Sequence, residues 1–128
     1  MLKFNSLLLG TENPEPLVAF YTQVLGKPAM EDGGFTGWGE GGAFLTIGQH
    51  SEVHGKNSNP PRAIWFFETN DVKGEFDRIK GIGAEVIKEP YEMDGGFWLA
   101  TFADPDGNYF QLASPFNEPA GSGPGGQV

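Results

Sequence analysis

The 128-residue sequence contains no cysteine and only two histidines. The lack of cysteine excludes disulfide bonds, thiolate nucleophiles and thiolate metal ligands, and it leaves the redox compartment undecided. Basic residues are also scarce, since 8 Lys and Arg stand against 17 Asp and Glu, for a net charge of −9. This negative field repels nucleic acids and anionic membranes, so neither is expected as a partner, although acidity also serves solubility alone.

Long hydrophobic runs are missing too. The N-terminal stretch MLKFNSLLLGTENP has an apolar core of only four residues, which is too short for the apolar region of a secretion signal. No segment approaches the roughly 20 apolar residues of a membrane span. We therefore expect a cytoplasmic protein with a single domain over residues 1–116, followed by a dispensable Gly/Pro-rich tail over residues 117–128.

The first half of the chain, residues 1–49, predicts a strand, a helix and a further strand. FNSLLLG is typical of a strand, and Asn13 and Pro14 suit the N-cap and first position of a helix. Apolar residues at helical spacing follow, and Gly26 ends the helix; they are Leu17, Phe20, Tyr21, Val24 and Leu25. The glycine-broken segment DGGFTGWGEGG then leads to the strand AFLTIG.

The second half, residues 62–116, follows a polar linker over residues 50–61. It begins with the strand AIWFFET and a weaker helical stripe of Val72, Phe76, Ile79 and Ile82, which ends at Gly83. The strands AEVIKEP and GFWLATFA come next. DPDG at Asp104–Gly107 has the composition of a tight turn, and the aromatic residues on both sides alternate as in a β-hairpin.

The two halves correspond to each other. Residues 6–9 match residues 64–67, Phe20 matches Phe76, and residues 42–47 match residues 107–112. A supersecondary unit of the form βαβββ is therefore predicted to occur twice. The fold class predicted is α+β, with two such modules forming a cupped mixed sheet and the helices on its outer face.

Alternation along the strands assigns side chains to the two faces of this sheet. Large apolar residues share one parity and are expected to face the helices; they are Leu7, Leu9, Leu45, Ile47, Trp65, Phe67, Phe110 and Leu112. The opposite parity is mixed in character, as a ligand cleft is; it contains Ser6, Leu8, Phe44, Thr46, Ile64, Phe66, Tyr109 and Gln111. Gln111 is the polar residue between two apolar ones in the last strand.

Four motifs occur in order along the duplicated unit. They are FYTQVLG at residues 20–26, FETNDV at 67–72, GAEVI at 83–87 and DPDGNYFQL at 104–112. With these motifs the chain resembles the vicinal oxygen chelate superfamily of glyoxalase I, extradiol dioxygenases and bleomycin resistance proteins. The resemblance covers roughly residues 2–116. It implies paired βαβββ modules around a cleft, usually in dimers, so a homodimer is expected here.

In the metal-using members, four positions on cleft-facing strands carry His, Glu or Gln. By resemblance these positions are Ser6, Thr46, Ile64 and Gln111 in this sequence, and only Gln111 has a side chain that ligates metals. Since catalytic divalent-metal sites need imidazole or carboxylate ligands, no metal and no other cofactor is expected. His50 and His54 lie in a Gly-, Ser- and Pro-rich segment that is typical of a solvated loop.

Aromatic residues are more numerous than a small helix-facing core requires. Those of interest line either the cleft, the core or a dimer interface; they are Trp38, Phe66, Tyr91, Phe97, Trp98 and Tyr109. An aromatic cleft in an acidic protein suits a flat or cationic ligand, and the resemblance to bleomycin resistance proteins implies sequestration without chemistry. The ligand-binding residues predicted are Ser6, Phe44, Thr46, Ile64, Phe66, Tyr109, Gln111, Trp38 and Trp98.

Three functions remain open. The preferred hypothesis is a protein that binds a small, aromatic or cationic molecule in a metal-free cleft, with Gln111 and Thr46 orienting the ligand. The alternative is a metal-dependent lyase or isomerase of the glyoxalase type, or a dioxygenase-like enzyme, with atypical ligands. The third is a dimer module whose cleft is filled by its own side chains, where Gln111 hydrogen-bonds a neighbouring backbone group.

Overall fold

The computed structural model of the chain describes residues 1–40 and 42–115. The tail predicted over residues 117–128 lies outside the described residues. The chain divides into two compact units, the first made of Met1–Arg62 with Asp104–Asn108 and the second of Ala63–Ala103 with the described residues 109–115. Each unit has a mixed four-stranded sheet and one α-helix, which confirms the prediction of an α+β fold made of two βαβββ modules.

Unit 1 has one long helix, α1, and a sheet with the strand order β1-β4-β3-β2. The strands β1 and β4 are parallel, and the other neighbours are antiparallel. The apolar stripe predicted for α1 is buried at Leu17, Phe20, Tyr21 and Val24. The elements are β1 (Ser6–Thr11), α1 (Pro14–Leu25), β2 (Met30–Asp32), β3 (Phe35–Glu40) and β4 (Ala43–Gln49).

The hairpin of β2 and β3 occupies the glycine-broken segment, where the sequence located no strand. Asp32 pairs with Phe35, so only Gly33 and Gly34 form the turn. Their φ angles are 60° and 85°, and two successive positive φ angles match the twist of a two-residue hairpin. The glycines that obscured the strand pattern are thus required by the turn between the strands.

Unit 2 repeats this plan with the strand order β5-β8-β7-β6, in which β5 and β8 are parallel. The side chain of Asp71 caps the helix α2 by accepting a hydrogen bond from the backbone N–H of Gly74 at 3.0 Å. Val72, Phe76 and Ile79 are buried as predicted, whereas Ile82 at the end of α2 is half-buried. The elements are β5 (Trp65–Glu68), α2 (Val72–Ile82), β6 (Glu85–Met93), β7 (Phe97–Ala103) and β8 (Tyr109–Ala113).

The two sheets have equivalent registers. Leu8 pairs with Thr46 in unit 1, and Phe66 pairs with Gln111 in unit 2. These are the pairs that the internal alignment of the sequence matches with each other. The duplication therefore extends from the sequence to the pairing of individual residues.

The turn Asp104–Asn108, which the sequence assigned to the second module, belongs to unit 1. It is anchored there by hydrogen bonds from the hydroxyls of Tyr21 to Asp104 and of Thr11 to Asp106, at 2.7 and 2.6 Å. Comparing the two halves of the sequence shows which segments correspond in chain order. It does not show which residues hold the turn in place by hydrogen bonds. Across the described parts of the chain, no helix is long and apolar enough to cross a lipid bilayer.

Candidate functional site

Each sheet has one side that packs on its helix and one side that does not. In unit 1 the helix side is marked by Trp38, whose ring centroid lies 6.3 Å from that of Tyr21 on α1. Trp38 pairs with Leu45, so residues of the opposite parity point away from α1. We call that side face 1; it carries Ser6, Leu8, Met30, Asp32, Phe35, Phe44 and Thr46.

Face 1 exposes large apolar side chains. Leu8 is 52% exposed, Phe44 45% and Phe35 41%. The half-buried Thr46 lies among them, because it pairs with Leu8 on one side and with Gly37 on the other. Of the residues predicted to bind a ligand, the structure brings Ser6, Phe44 and Thr46 together on this face.

Glycines beneath face 1 determine how its aromatic rings lie. A Cβ atom at Gly39 would overlap the ring of Phe44, and one at Gly48 would overlap the ring of Phe35. Each phenylalanine pairs with the glycine that it covers. The rings therefore lie across the backbone of the neighbouring strand instead of standing upright on the sheet.

In unit 2 the ring of Phe102 stacks on Phe76 of α2 with a centroid distance of 5.1 Å, which marks the helix side of that sheet. The opposite side, which we call face 2, carries Phe66, Gln111, Thr101, Lys88 and Tyr109. Pairing places the first four in one row across the sheet. The structure thus brings the predicted residues Phe66, Tyr109 and Gln111 together, and half-buried Ile64 lies one residue before β5.

The Gln111 side chain has one engaged end. Its Nε2 donates a hydrogen bond to Oγ1 of Thr101 at 3.0 Å, so its partner is a side chain and not the backbone group that a collapsed floor would supply. Phe66 beside it is 54% exposed. On the other side of Thr101, Nζ of Lys88 lies 5.1 Å from the ring centroid of Tyr91. Face 2 therefore combines an exposed ring, an amide and a cation.

Trp38 and Trp98, two of the predicted ligand contacts, do not lie on these faces. Trp38 is 6% exposed and its Nε1 donates to the carbonyl oxygen of Gly26 at 2.8 Å. Trp98 shares the parity of Phe102, and Nζ of Lys73 on α2 lies 4.4 Å from its ring centroid. Both are therefore on the helix sides, because the pairing of β3 and β7 fixes their parity.

Several residues of the faces were missed by sequence reasoning. Met30 and Phe35 lie in the glycine-broken segment, where no alternation could be assigned. Thr101 and Lys88 belong to predicted strands, and the alternation in FWLATF would have placed Thr101 opposite Phe102. Lys88 had no such signal, because register shifts interrupt the pairing of β6 between Val86 and Tyr91.

The four family metal positions do not fit a divalent cation. The hydroxyl of Ser6 donates to Oδ1 of Asn5, and Thr46 offers a hydroxyl. Ile64 has no side-chain atom that could ligate a metal, and Gln111 offers only a neutral amide oxygen. Such a set lacks the imidazole and carboxylate ligands of catalytic metal sites. Within residues 1–40 and 42–115, no three His, Cys, Asp or Glu side chains are grouped to hold a metal. His50 and His54 lie in a loop.

The buried carboxylate of Asp104 stabilises the turn Asp104–Asn108, and it does not belong to face 1 or face 2. It is 5% exposed and accepts hydrogen bonds from the hydroxyl of Tyr21 and the backbone N–H groups of Asp106 and Asn108. Desolvation by burial raises the pKa of Asp104, and these hydrogen bonds offset only part of the rise. The group is therefore a structural anchor of the turn.

Comparison with known proteins places these features in a family. Residues 6–113 match the glyoxalase-like domain family. The uncharacterized protein YetH of Bacillus subtilis (strain 168) is 37% identical over 57 residues, which are 44% of this chain and 47% of YetH. The anthracycline biosynthesis protein DauV of Streptomyces sp. (strain C5) is 28% identical over 120 residues, covering 81% of this chain and 44% of DauV. The chain thus spans less than half the length of either curated relative.

The fold has close structural counterparts. A crystal structure of a glyoxalase/bleomycin resistance protein/dioxygenase from Nocardioides superposes with a TM-score of 0.73 at 17% identity, covering 93% of this chain and 87% of that one. At this identity the likeness concerns the fold alone. The match over residues 6–113 shows that the chain belongs to the glyoxalase-like domain family, in agreement with the resemblance to the vicinal oxygen chelate superfamily found in the sequence.

Proposed function

We propose that the protein binds a small aromatic or cationic molecule on the open faces of its sheets, without a metal ion at the four family positions. The observation that carries this proposal is the exposure of Leu8, Phe44 and Phe66 on the sides opposite the helices. Exposed apolar side chains beside a few polar groups are typical of ligand sites. The polar groups here are Thr46 and Gln111, at equivalent positions of the two units.

Charge supports a cationic ligand. The net charge of −9 favours the approach of cations over that of anions. The aromatic rings on the faces also attract cations through their π electrons. An aromatic amine is therefore attracted both by the aromatic rings and by the net negative charge of the protein.

The relative DauV supports an aromatic ligand. It is named as an anthracycline biosynthesis protein and is 28% identical to this chain, and anthracyclines are fused-ring aromatic compounds. Because the chain spans only 44% of DauV, this likeness supports the class of ligand and not a particular compound.

The cytoplasmic location expected from the sequence stays a prediction.

The proposal is tested by calorimetric titration with two probes that share one ring system. We expect 1-naphthylmethylamine, a cation, to bind at one molecule per chain. We expect naphthalene-1-sulfonate, an anion, to bind at least about tenfold more weakly because of the negative field of the protein. Native mass spectrometry of the purified protein would show any metabolite or metal that it retains. If neither probe binds and the purified protein retains a stoichiometric metal, the proposal is contradicted.

Gln111→Leu separates a ligand-facing glutamine from a purely structural one. We expect it to weaken binding of 1-naphthylmethylamine, and to lower the free energy of unfolding by only about 0.5–1.5 kcal/mol through the lost bond to Thr101. The matched control is Gln49→Leu, at the exposed end of β4, which should change neither quantity. A loss of stability with unchanged affinity would assign Gln111 to the scaffold.

A further inference from the structure

The geometry of face 1 points to a planar ligand of three or more fused rings that carries a positive charge, and to Gly39 and Gly48 as the residues that determine this preference. We infer this from the way the rings of Phe44 and Phe35 lie on the sheet. The inference rests on the proposed function, since it names the class of ligand and the subsite within it. It adds residues that touch no ligand themselves but position the groups that do.

The first step is the orientation of the rings. Phe44 and Phe35 cover Gly39 and Gly48, and a Cβ atom at either glycine would occupy the space of the ring above it. Both rings remain 41–45% exposed. A ring that lies across a strand presents its flat side to solvent, whereas an upright ring presents an edge. Face 1 therefore offers two stacking surfaces.

The second step is the spacing of the two rings. Along β3 and β4, the pair Gly39–Phe44 is followed by Gly37–Thr46 and then by Phe35–Gly48. Four residues of extended strand separate the two ring-bearing pairs, which corresponds to about 13 Å. Thr46 and Gly37 form the floor between them, and Met30 lies over Gly37, since its Cγ is 3.3 Å from a Cβ placed there. A single small ring contacts one phenylalanine, but an extended planar system reaches from one toward the other.

The third step is charge. Asp32 pairs with Phe35, so its carboxylate is on face 1 and exposed. None of the strands β1 to β4 contains a lysine or arginine. A cationic substituent at the Phe35 end of the ligand is attracted both by Asp32 and by the ring. A planar cation is therefore the occupant that face 1 fits.

The test compares proflavine, a planar cation of three fused rings, with adamantan-1-amine, a cation of compact cage shape. We expect proflavine to bind to the full chain and Gly39→Ala and Gly48→Ala each to weaken it by about tenfold, because the added methyl group displaces the ring. Binding of adamantan-1-amine should be weaker and insensitive to both substitutions. Gly81→Ala in α2, where a Cβ meets no atom within 4 Å, is the matched control.

Phe44→Leu provides a second arm that does not depend on changing a strand glycine. It removes an exposed ring and keeps an apolar side chain, so folding should be unaffected while proflavine binding falls by a similar factor. Asp32→Asn should weaken proflavine more than it weakens the neutral dye anthraquinone. The matched control Phe4→Leu removes a ring that is 81% exposed and lies before β1, and it should leave proflavine binding unchanged.

The outcomes distinguish this inference from the proposed function. If adamantan-1-amine binds as tightly as proflavine, and the two glycine variants bind both normally, the planar preference is wrong while small-molecule binding stands. If Phe66→Leu abolishes binding and Phe44→Leu does not, the subsite is wrong. If Phe44→Leu changes the number of subunits and leaves proflavine binding intact, face 1 is an interface with a second copy and the inference is overturned.

Discussion

At the scale of single residues, Asp104 shows how burial and hydrogen bonding oppose each other. Burial favours the neutral carboxyl group, whereas the donors of Tyr21, Asp106 and Asn108 favour the carboxylate. Burial is the larger influence, so the pKa of Asp104 is raised in the folded protein. The folded state then binds a proton more readily than the unfolded state, which makes the contribution of this residue to stability dependent on pH.

The substitution Asp104→Asn tests this pH dependence. We expect the free energy of unfolding of the wild type, minus that of the variant, to fall as pH rises from the ordinary pKa of aspartate to the raised pKa, and to be constant above it. Each pKa unit of the rise corresponds to about 1.4 kcal/mol. Urea unfolding at a series of pH values measures the difference, in which the other carboxylates cancel. A difference that rises with pH would mean that the hydrogen bonds outweigh burial.

At the scale of secondary structure, the two helices begin with caps of different quality. Asp71 accepts a hydrogen bond from the N–H of Gly74, but the side chain of Asn13 makes no capping bond. In its place, Oγ1 of Thr11 accepts a hydrogen bond from the backbone N–H of Asn13 at 3.1 Å. The sequence predicted both caps from residue type, which indicates where a helix begins but not which oxygen is used.

This difference predicts unequal costs for two similar substitutions. Asp71→Ala should lower the free energy of unfolding by about 1 kcal/mol because Gly74 loses its acceptor. Asn13→Ala should cost only a few tenths of a kcal/mol, since no side-chain bond is lost. Urea unfolding of both variants at pH 7 measures the costs. Equal losses would show that the cap contributes through charge or backbone conformation and not through the hydrogen bond.

The extent to which the sequence predicted the elements depended on their pattern. The stripes of α1 and α2 and the strands rich in apolar residues were predictable because burial imposes a period on them. The strand β3 was not, because Gly37 and Gly39 remove the alternation that a strand normally shows. The sequence therefore did not predict which side of the sheet Trp38 faces, since alternation assigns a side only when the strand and its partner are known.

For the candidate site, the sequence predicted which residues share a face, but it did not predict their hydrogen-bond partners or the orientation of their rings. Parity alone placed Ser6, Phe44, Thr46, Phe66 and Gln111 on the same side of one predicted sheet. The structure has two sheets, so the first three lie on face 1 and the last two on face 2. The partner of Gln111 was not predictable, because Thr101 belongs to a neighbouring strand whose register the sequence does not give. The orientation of Phe44 over Gly39 likewise depends on cross-strand pairing and became visible only in three dimensions.

At the scale of the whole molecule, the edge strands and the exposed apolar side chains of the sheets bear on whether the protein forms a dimer. The strands β1 and β2 are the edges of one sheet, and β5 and β6 are the edges of the other. Edge strands and exposed apolar side chains are features that a symmetric partner covers. A homodimer therefore stays our expectation for the protein in solution.

Light scattering over a tenfold dilution tests the dimer. We expect twice the chain mass of 13.8 kDa at every concentration, because an interface that buries roughly 1,200–2,000 Å² resists such a dilution. Phe44→Leu should keep this mass, since face 1 is assigned to a ligand and not to a partner chain. A mass of 13.8 kDa throughout would exclude the dimer and leave the ligand hypothesis untouched. A variant mass half that of the wild type would instead move Phe44 from the ligand site to the interface.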